Sequence, residues 1–275
     1  MTRTILITGC SSGIGLDAAR SMAARGWRVF ATCRKAEDCA RLQAEGLESF
    51  VLDHDDPESI TAAIAQAMER AGRIDAAFLN GAFALPAMAE DVPRDGMRAV
   101  METNFIGVHD IARQLVPIMR DQGHGRLLFC SSVLGLVGIK YRAPYVASKF
   151  AMEGYADCLR MELHGSGIDV SLIEPGPIPT RIRQNAQKNF ERWIAWETSR
   201  HRPFYERSLR PRLYDESGTP DRFERPVSAV TQTVIHACES PRPKARYFIT
   251  PGTYLGNLVR RFLPTRAADA ILRRN

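Results

Sequence analysis

The sequence predicts an α/β fold, a doubly wound, seven-stranded, mainly parallel sheet with helices on both faces. Seven short apolar runs are strand-sized, and their nearly continuous hydrophobicity is typical of strands covered on both faces. Longer helical patterns separate these runs, and such alternation is typical of doubly wound sheets. The strands are expected at 4–8, 27–32, 48–52, 76–80, 126–131, 169–174 and 246–250. The helices are expected at about 13–25, 57–72, 95–120, 144–164 and 226–239.

Length and composition indicate a single domain spanning residues 1–275. Of the 275 residues, 45% are hydrophobic and 25% are charged, which is enough to bury a full core. The net charge of +6 suits anionic ligands, but the basic residues are not confined to one run, so no nucleic-acid partner is expected. The six cysteines lack metal spacing, which indicates reduced thiols without zinc or disulfides. The apolar run at the N-terminus is far shorter than a signal-peptide core, so we expect a cytoplasmic protein. No stretch approaches the roughly 20 apolar residues that span a bilayer, so membrane contact is expected to be peripheral if it occurs.

Two regions interrupt the alternation of strands and helices. Residues 177–225 form an insertion before the last strand, and an insertion of this length is usually a lid or binding loop. Its aromatic residues are Phe190, Trp193, Trp196, Phe204 and Tyr205. The tail, residues 252–275, has apolar residues at helical spacing, five arginines and an interrupting Pro264. Such a basic amphipathic segment either lies on an anionic membrane surface or packs on its own domain or a sister subunit.

The motif TGCSSGIG, residues 8–15, connects the first strand to the first helix. In that context Gly9 permits a tight turn, Gly13 lets the backbone approach a pyrophosphate, and Gly15 allows close packing of helix on strand. The helix N-terminus then favours a phosphate-bearing ligand. The same glycine pattern also occurs in ordinary βα turns, but its position between strand and helix favours a nucleotide. Small polar contacts are expected from Cys10, Ser11 and Ser12.

The end of the second strand indicates which dinucleotide binds. NAD sites usually carry an acidic residue there, whereas an arginine accommodates the 2′-phosphate of NADP. The sequence ATCRK places Arg34 and Lys35 at this point, with no carboxylate before Glu37. We therefore expect NADP(H) as the cofactor. The alternative is that both residues are solvated surface charges.

The segment YVASK places Tyr145 and Lys149 four residues apart. Pro144 suits the first turn of a helix, and residues four apart share one helix face. A free phenol has a pKa of about 10. A nearby ammonium lowers that value toward the range in which a phenol gives and takes a proton efficiently. The pair therefore predicts an acid/base residue with its tuning partner.

Six motifs in order resemble the classical short-chain dehydrogenase/reductase family. They are TGCSSGIG, Asn80 after the fourth strand, Asn104 in METNFIG, CSSVLG, YVASK and PGPIPT. The resemblance covers about residues 1–180, and the members it suggests are NADP-dependent retinol or hydroxysteroid dehydrogenases and aldehyde reductases. It implies a Rossmann-type fold and an oxidoreductase that transfers a hydride between NADP(H) and an alcohol or carbonyl compound.

The resemblance also implies catalytic roles. Tyr145 would be the general acid in reduction and the base in oxidation, and Lys149 would lower its pKa and hold the nicotinamide ribose. Ser132 would bind the substrate oxygen, with Ser131 as its only close rival. Asn104 would support a proton-relay water, unless it simply bridges backbone groups.

Further positions are implied to bind the cofactor. Asp53 would contact adenine, unless it caps a turn, and Thr180 with the Ile178 backbone would hold the nicotinamide carboxamide. The full cofactor set is Gly9, Ser11, Ser12, Gly13, Ile14, Gly15, Arg34, Lys35, Asp53, Asn80, Gly81, Tyr145, Lys149, Pro175, Gly176, Ile178 and Thr180. No metal ligand is expected. The family usually shows Asn-Ala-Gly after the fourth strand, whereas this chain has Asn80-Gly81-Ala82, which puts the geometry of that loop in question.

The aromatic insertion favours an apolar substrate, such as a long-chain or retinoid aldehyde or a steroid-like ketone. Trp193 and Trp196 either line that pocket or pack the lid on the body. A second wall is expected from Val133, Leu134, Leu136, Val137 and Tyr141. Family members assemble through helices like 95–120 and 144–164, so a homodimer or homotetramer is expected. The alternative function is a redox sensor or scaffold that binds NADP without turnover.

Overall fold

Seven strands form one sheet in the computed structural model, which describes residues 2–273; residues 1, 274 and 275 lie outside the described residues, the last two within the predicted tail. The strands are β1 (Thr4–Ile7), β2 (Arg28–Cys33), β3 (Glu48–Val51), β4 (Ala76–Leu79), β5 (Gly125–Cys130), β6 (Ile168–Glu174) and β7 (Arg246–Phe248). Their order is β3-β2-β1-β4-β5-β6-β7, and every pair is parallel. The predicted sheet is confirmed.

Helices connect the strands and cover the sheet. They are α1 (Gly13–Ala24), α2 (Ala36–Ala44), α3 (Pro57–Ala71), α4 (Arg94–Met101), α5 (Gly107–Gln122), α6 (Ala143–Glu162), α7 (Ile182–Trp193), α8 (Arg202–Phe204), α9 (Arg210–Leu213), α10 (Val227–Glu239), α11 (Pro251–Phe262) and α12 (Thr265–Leu272). Single π-helical turns, Glu102–Ile106 and Tyr205–Leu209, join α4 to α5 and α8 to α9. Within residues 2–273, no helix combines the length and the apolar character needed to cross a bilayer.

Two apolar cores cover the opposite faces of the sheet. Successive strand residues point to opposite faces, so Leu6 packs in the core formed with α3, α5 and α6. Ile5 and Ile7 pack in the core formed with α1, α2 and α10. Strands buried on both faces explain the continuous apolar runs of the sequence.

The centre of the sheet is its topological switch point. From β1 the chain proceeds outward through β2 and β3 on one side, and from β4 through β5, β6 and β7 on the other. Ligands of open α/β sheets bind beyond the carboxyl ends of the strands at such a point. Thr8 follows β1 and Asn80 follows β4, so the glycine motif lies at this crevice.

Two helical segments differ from the sequence prediction. The pattern gives no signal for α2, because only Cys39 and Leu42 of this short polar helix are buried. The single helix expected at 95–120 is divided by the π-helical turn Glu102–Ile106, whose extra residue shifts the buried face between α4 and α5. The insertion 177–225 contains α7, α8 and α9. Pro264 separates α11 from α12, as predicted.

Candidate active site

The loop between β1 and α1 provides the predicted phosphate site. Gly9 and Gly13 have φ angles of 71° and 57°, a backbone region that favours glycine. Ser12 precedes α1 with an extended backbone, and its side chain makes no cap hydrogen bond to the first turn. The first N–H groups of α1 are therefore available to an anion. Ser11, Ser12, Gly13 and Ile14 are partly exposed, so the loop fits the pyrophosphate of a dinucleotide.

Thr8 and Asn80 fix the shape of this loop from below. The Thr8 hydroxyl accepts hydrogen bonds from the backbone N–H groups of Asn80 at 3.0 Å and Gly81 at 3.2 Å. The Asn80 side-chain amide donates to the Thr8 carbonyl at 3.3 Å. Gly15 packs its Cα so close to the Gly9 carbonyl that a side chain would collide with it. Asn80 and Gly15 therefore hold the turn in shape.

The segment after β6 brings the other predicted cofactor residues to the same crevice. A Cβ placed on Gly13 would lie 3.1 Å from Cγ2 of Thr180, so these two positions are in close contact across the crevice. The Pro175 carbonyl accepts a hydrogen bond from the Val133 N–H at 2.8 Å, which ties this segment to the loop after β5. Gly176 packs against Thr250, and Ile178 packs on the apolar core.

Arg34 and Lys35 follow β2 and are exposed. Lys35 pairs with Glu37 at 3.0 Å, whereas no residue between 2 and 273 makes an ion pair with Arg34. Arg41 on α2 also reaches this edge, since its guanidinium donates to the Ser11 carbonyl at 2.7 Å. The sequence gives no signal for Arg41, because the helix that carries it is not predicted.

Asp53 and His54 follow β3. The Asp53 carboxylate accepts a hydrogen bond from the Asp55 N–H at 3.2 Å and so shapes the turn after β3, while its contact with adenine stays a prediction. His54 is buried, and its Nδ1 lies 2.9 Å from the Thr103 carbonyl oxygen. Burial lowers the pKa of His54, and no described residue hydrogen-bonds its Nε2.

His54 explains the altered order Asn80-Gly81-Ala82. A Cβ on Gly81 would lie 2.7 Å from Cε1 of His54, which is closer than side-chain atoms normally approach. The φ angle of Gly81 is not positive, so glycine is needed there for space and not for backbone freedom. An alanine at position 81 would force the imidazole of His54 to move.

Tyr145 and Lys149 lie on the first two turns of α6, and Ser132 follows β5. Lys149 is buried; its Nζ donates to the Cys130 carbonyl at 2.6 Å and lies 5.5 Å from the centroid of the Tyr145 ring. Ser132 lies near enough to the Tyr145 phenol to lower its pKa, and its hydroxyl accepts from the Leu134 N–H at 3.1 Å. The three side chains are therefore brought together.

Burial has the largest effect on the pKa values of Tyr145 and Lys149. It raises the pKa of the Tyr145 phenol well above its ordinary value, and the nearby Ser132 lowers that pKa only in part. Burial lowers the pKa of Lys149, while the nearby Cys130 and Glu153 raise it. The phenol is thus in its protonated form at neutral pH, the form that donates a proton. The lowering of the Tyr145 pKa by Lys149 stays a prediction.

Asn104 sits in the π-helical turn and is fully buried. Its Oδ1 accepts from the Phe83 N–H, and its Nδ2 donates to the Phe83 carbonyl, both at 2.9 Å. Nδ2 also lies 3.1 Å from the Ser148 hydroxyl. The side chain thus joins the Phe83 backbone, after β4, to the Ser148 hydroxyl on α6, and its support of a relay water stays a prediction.

The sequence of this chain matches a known protein family. The model of the short chain dehydrogenase family matches residues 3–191. The chain belongs to this family. It is an oxidoreductase of the short-chain dehydrogenase type.

Relatives of known name match this short-chain dehydrogenase along nearly its full length. The uncharacterized oxidoreductase YbbO of Escherichia coli is 37% identical over 273 residues, covering 99% of this chain and 94% of its own. Human 17-beta-hydroxysteroid dehydrogenase type 1 is 32% identical over 263 residues, covering 91% of this chain and 78% of its own.

Two solved structures share the fold. A short-chain dehydrogenase/reductase from Burkholderia phymatum in complex with NAD has a TM-score of 0.80 and 22% identity, covering 100% of this chain and 96% of its own. A gluconate 5-dehydrogenase from Burkholderia cenocepacia in complex with NADP and tartrate has a TM-score of 0.72 and 24% identity, covering 92% of this chain and 95% of its own. At these identities the likeness shows the fold alone.

Beside Ser131, this short-chain dehydrogenase carries an ion network that the sequence pattern does not signal. The Ser131 hydroxyl donates to the Glu153 carboxylate, one turn beyond Lys149 on α6. Arg246 on β7 pairs with Glu153, with Glu174 at 2.7 Å and with Asp157 at 2.7 Å. Ser131 therefore faces the network and Ser132 faces the phenol, which separates the two candidates.

The lid aromatics pack largely among themselves. Phe190 and Tyr205 are fully buried in a third apolar cluster with Leu85 and Val100 of the body. The Tyr205 hydroxyl donates to Asp91 at 2.6 Å and accepts from the Met88 N–H at 3.0 Å. Trp193, Trp196 and Phe204 are partly buried against this cluster. Phe204 stacks on Tyr141 with ring centroids 4.2 Å apart, so the lid touches the predicted substrate wall.

Proposed function

We propose that the protein is an NADP(H)-dependent oxidoreductase that interconverts an apolar alcohol and its carbonyl compound. The observation that carries the proposal is the meeting of Tyr145, Ser132 and Lys149 beside the glycine loop at the switch point. When bound, NADP(H) supplies or accepts the hydride at the carbonyl carbon.

The chain's own residues would handle the oxygen and the proton. In reduction the Ser132 hydroxyl donates a hydrogen bond to the carbonyl oxygen, and Tyr145 transfers its phenolic proton to that oxygen as the alcohol forms. The phenol is protonated at neutral pH and so carries the proton to be donated, while the burial that raises its pKa makes it a weaker acid that needs the nearby ammonium. The buried Lys149 ammonium stabilises the phenolate that remains. In oxidation the same groups would act in reverse.

The preference for NADP over NAD rests on Arg34. Its exposed guanidinium stands at the end of β2, and the residue before it there is Cys33 and not an acid. A guanidinium recognises a phosphate through charge-assisted, bidentate hydrogen bonds. The acidic neighbours Glu37 and Asp38 are paired with Lys35 and Arg41, so Arg34 is left to meet the 2′-phosphate.

The apolar substrate class rests on the surroundings of Ser132. Leu136 and Val137 are buried beside it, and Tyr141 with Phe204 forms an aromatic contact between wall and lid. A relative with 32% identity is named a steroid dehydrogenase, which supports the same class. We infer a long-chain aldehyde, a retinoid or a steroid-like ketone as the carbonyl compound.

Consumption of NADPH and NADH over a panel of long aldehydes, steroid ketones and retinal tests the proposal. The native enzyme should turn over at least one member with NADPH preferred, and Tyr145→Phe should lose activity by at least about 10²-fold. Tyr155→Phe, a change of the same type on the same helix, is the matched control and should stay active. If NADPH binds but no panel member reacts in either direction, the sensor alternative replaces the enzyme; if NADH is preferred, the role of Arg34 is wrong.

A further inference from the structure

Helix α11 presents an apolar stripe to solvent. Tyr254, Leu255, Leu258 and Phe262 are 56%, 50%, 52% and 74% exposed. Positions 254, 258 and 262 are successive turns of one helix face, and 255 lies beside them. We call these four residues the tail stripe. Contiguous exposed apolar patches of this kind usually mark an interaction site.

The opposite face of α11 is firmly packed, so the stripe does not result from a detached helix. Thr253, Gly256 and Val259 are buried. A Cβ on Gly256 would lie 3.2 Å from Val133 and 3.5 Å from Val137, the wall beside the catalytic Ser132. Arg260 donates to the Gly135 carbonyl at 3.1 Å.

Basic residues accompany the tail stripe, with Arg261 next to Phe262 on α11 and the others on the following helix α12 or at its end. Arg261, Arg266 and Arg273 are exposed, and Asp269 is the single acidic residue between 251 and 273. An apolar stripe accompanied by basic residues matches an anionic bilayer, whose headgroups attract arginine while the acyl region takes up the apolar side chains. A second copy placed stripe to stripe would bring the arginines of both copies together, which opposes self-association.

We propose that the tail stripe and its arginines dock this protein on the surface of anionic phospholipid bilayers, with α11 lying in the plane of the interface. Because Gly256 contacts Val133 and Val137 on the opposite face of α11, the bilayer would lie about one helix diameter, about 10 Å, from the substrate wall. Delivery of apolar substrates from the bilayer is the part that rests on the proposed function; docking itself does not.

Sedimentation of the full chain with vesicles tests docking without substrate or cofactor. The native protein should sediment with phosphatidylcholine vesicles that contain about a third phosphatidylserine, and high salt should release it. It should not sediment with phosphatidylcholine alone. Arg261→Gln with Arg266→Gln should weaken binding about 25-fold, since each basic residue contributes about fivefold.

A second pair of variants tests the apolar component. Leu258→Gln with Phe262→Gln should weaken vesicle binding by at least about tenfold. Met161→Gln, which changes a side chain 67% exposed on α6, is the matched control and should bind like the native chain. The proposal is overturned if the native chain ignores anionic vesicles, or if the control loses as much binding. It is also overturned if the double variant instead shifts the elution volume toward a smaller assembly, which would make the stripe a subunit interface.

Discussion

Ser131 and Ser132 are neighbours in sequence, yet their hydroxyl groups serve opposite sides of the loop after β5. Ser131 donates into the ion network at Glu153, and Ser132 meets the phenol of Tyr145. Sequence spacing alone leaves the two as rivals. The extended backbone at Ser132, with φ of −169°, turns successive side chains to opposite sides and decides between them.

Replacement of each serine should therefore have a different effect. Ser132→Ala should lower kcat by about 10²-fold to 10³-fold, because the donor to the developing alkoxide is lost. Ser131→Ala should keep kcat within about tenfold and instead lower the free energy of unfolding by about 1–3 kcal/mol, because Glu153 loses a buried partner. Steady-state kinetics and urea unfolding on both variants check this, and the reverse pattern would exchange the two roles.

Gly81 and His54 are a second pair of residues that depend on each other, because the His54 ring occupies the space that a side chain at position 81 would need. Gly81→Ala should lower the free energy of unfolding by about 1–3 kcal/mol, because the new Cβ overlaps the imidazole. In a His54→Ala background the same change should cost much less. A double-mutant cycle by urea unfolding measures the coupling. Equal costs in both backgrounds would show that His54 is not the reason for glycine at position 81.

At the scale of elements, an ion pair joins β7 to α6, the helix that carries Tyr145 and Lys149. Arg246 on this short edge strand pairs with Glu153 of α6 and Glu174 of β6, both buried. Arg246→Met should lower the free energy of unfolding by about 3–5 kcal/mol, because the buried Glu153 loses its cation and the buried Glu174 loses a hydrogen-bond donor. Arg160→Met, which removes an arginine paired with Asp157 at the surface, is the control and should cost about 1 kcal/mol or less. Urea unfolding of both variants makes the comparison, and equal costs would contradict the network.

Glu174 makes stability depend on pH. Burial and the neighbouring Glu153 raise its pKa from 4.5 to about 8. Between these values the folded chain keeps a proton that the unfolded chain releases, so the free energy of unfolding falls as pH rises through this window. Glu174→Gln should flatten that slope, whereas Glu162→Gln, an exposed change on α6, should leave it unaltered. Urea unfolding across the window measures the slopes, and an unchanged slope in Glu174→Gln would place its pKa elsewhere.

The elements also show where sequence patterns stop being informative. The sequence predicts strands β1 to β7 because strands covered by helices are almost continuously apolar. Helix α2 has almost no apolar pattern, so its Arg41 is found only in the structure. The sequence also fails to predict the π-helical turn that carries Asn104. One extra residue in that turn changes the backbone hydrogen bonds but leaves the composition the same.

At the scale of the whole molecule, the site is assembled from loops that follow β1 to β6. Each motif is local and was predictable from its residues, but the partners of Ser131, His54 and Arg246 lie many residues away and depend on packing. Assembly into a dimer or tetramer stays a prediction.

Binding of the cofactor should stabilise the entire fold. At about 100 times its Kd, NADPH should add about 2.7 kcal/mol and raise Tm by about 5–10 °C. Arg34→Ser should weaken NADPH binding about tenfold to a hundredfold and leave NADH unchanged, because only the 2′-phosphate contact is lost. Lys35→Ser, whose ammonium is already paired with Glu37, should have a much smaller effect. Thermal unfolding with each dinucleotide checks this, and equal shifts in both variants would remove Arg34 from recognition.

The separate apolar cluster of the lid, with Phe190 and Tyr205 at its centre, bears on how such a chain diversifies. The cluster is separate from the two cores that cover the sheet, so we expect it to open locally at a lower free energy than those cores. Mutations in this cluster would then lower the stability of the lid more than that of the dinucleotide-binding sheet. Natural selection can therefore exchange one substrate for another in this lineage while the inherited cofactor machinery continues to fold.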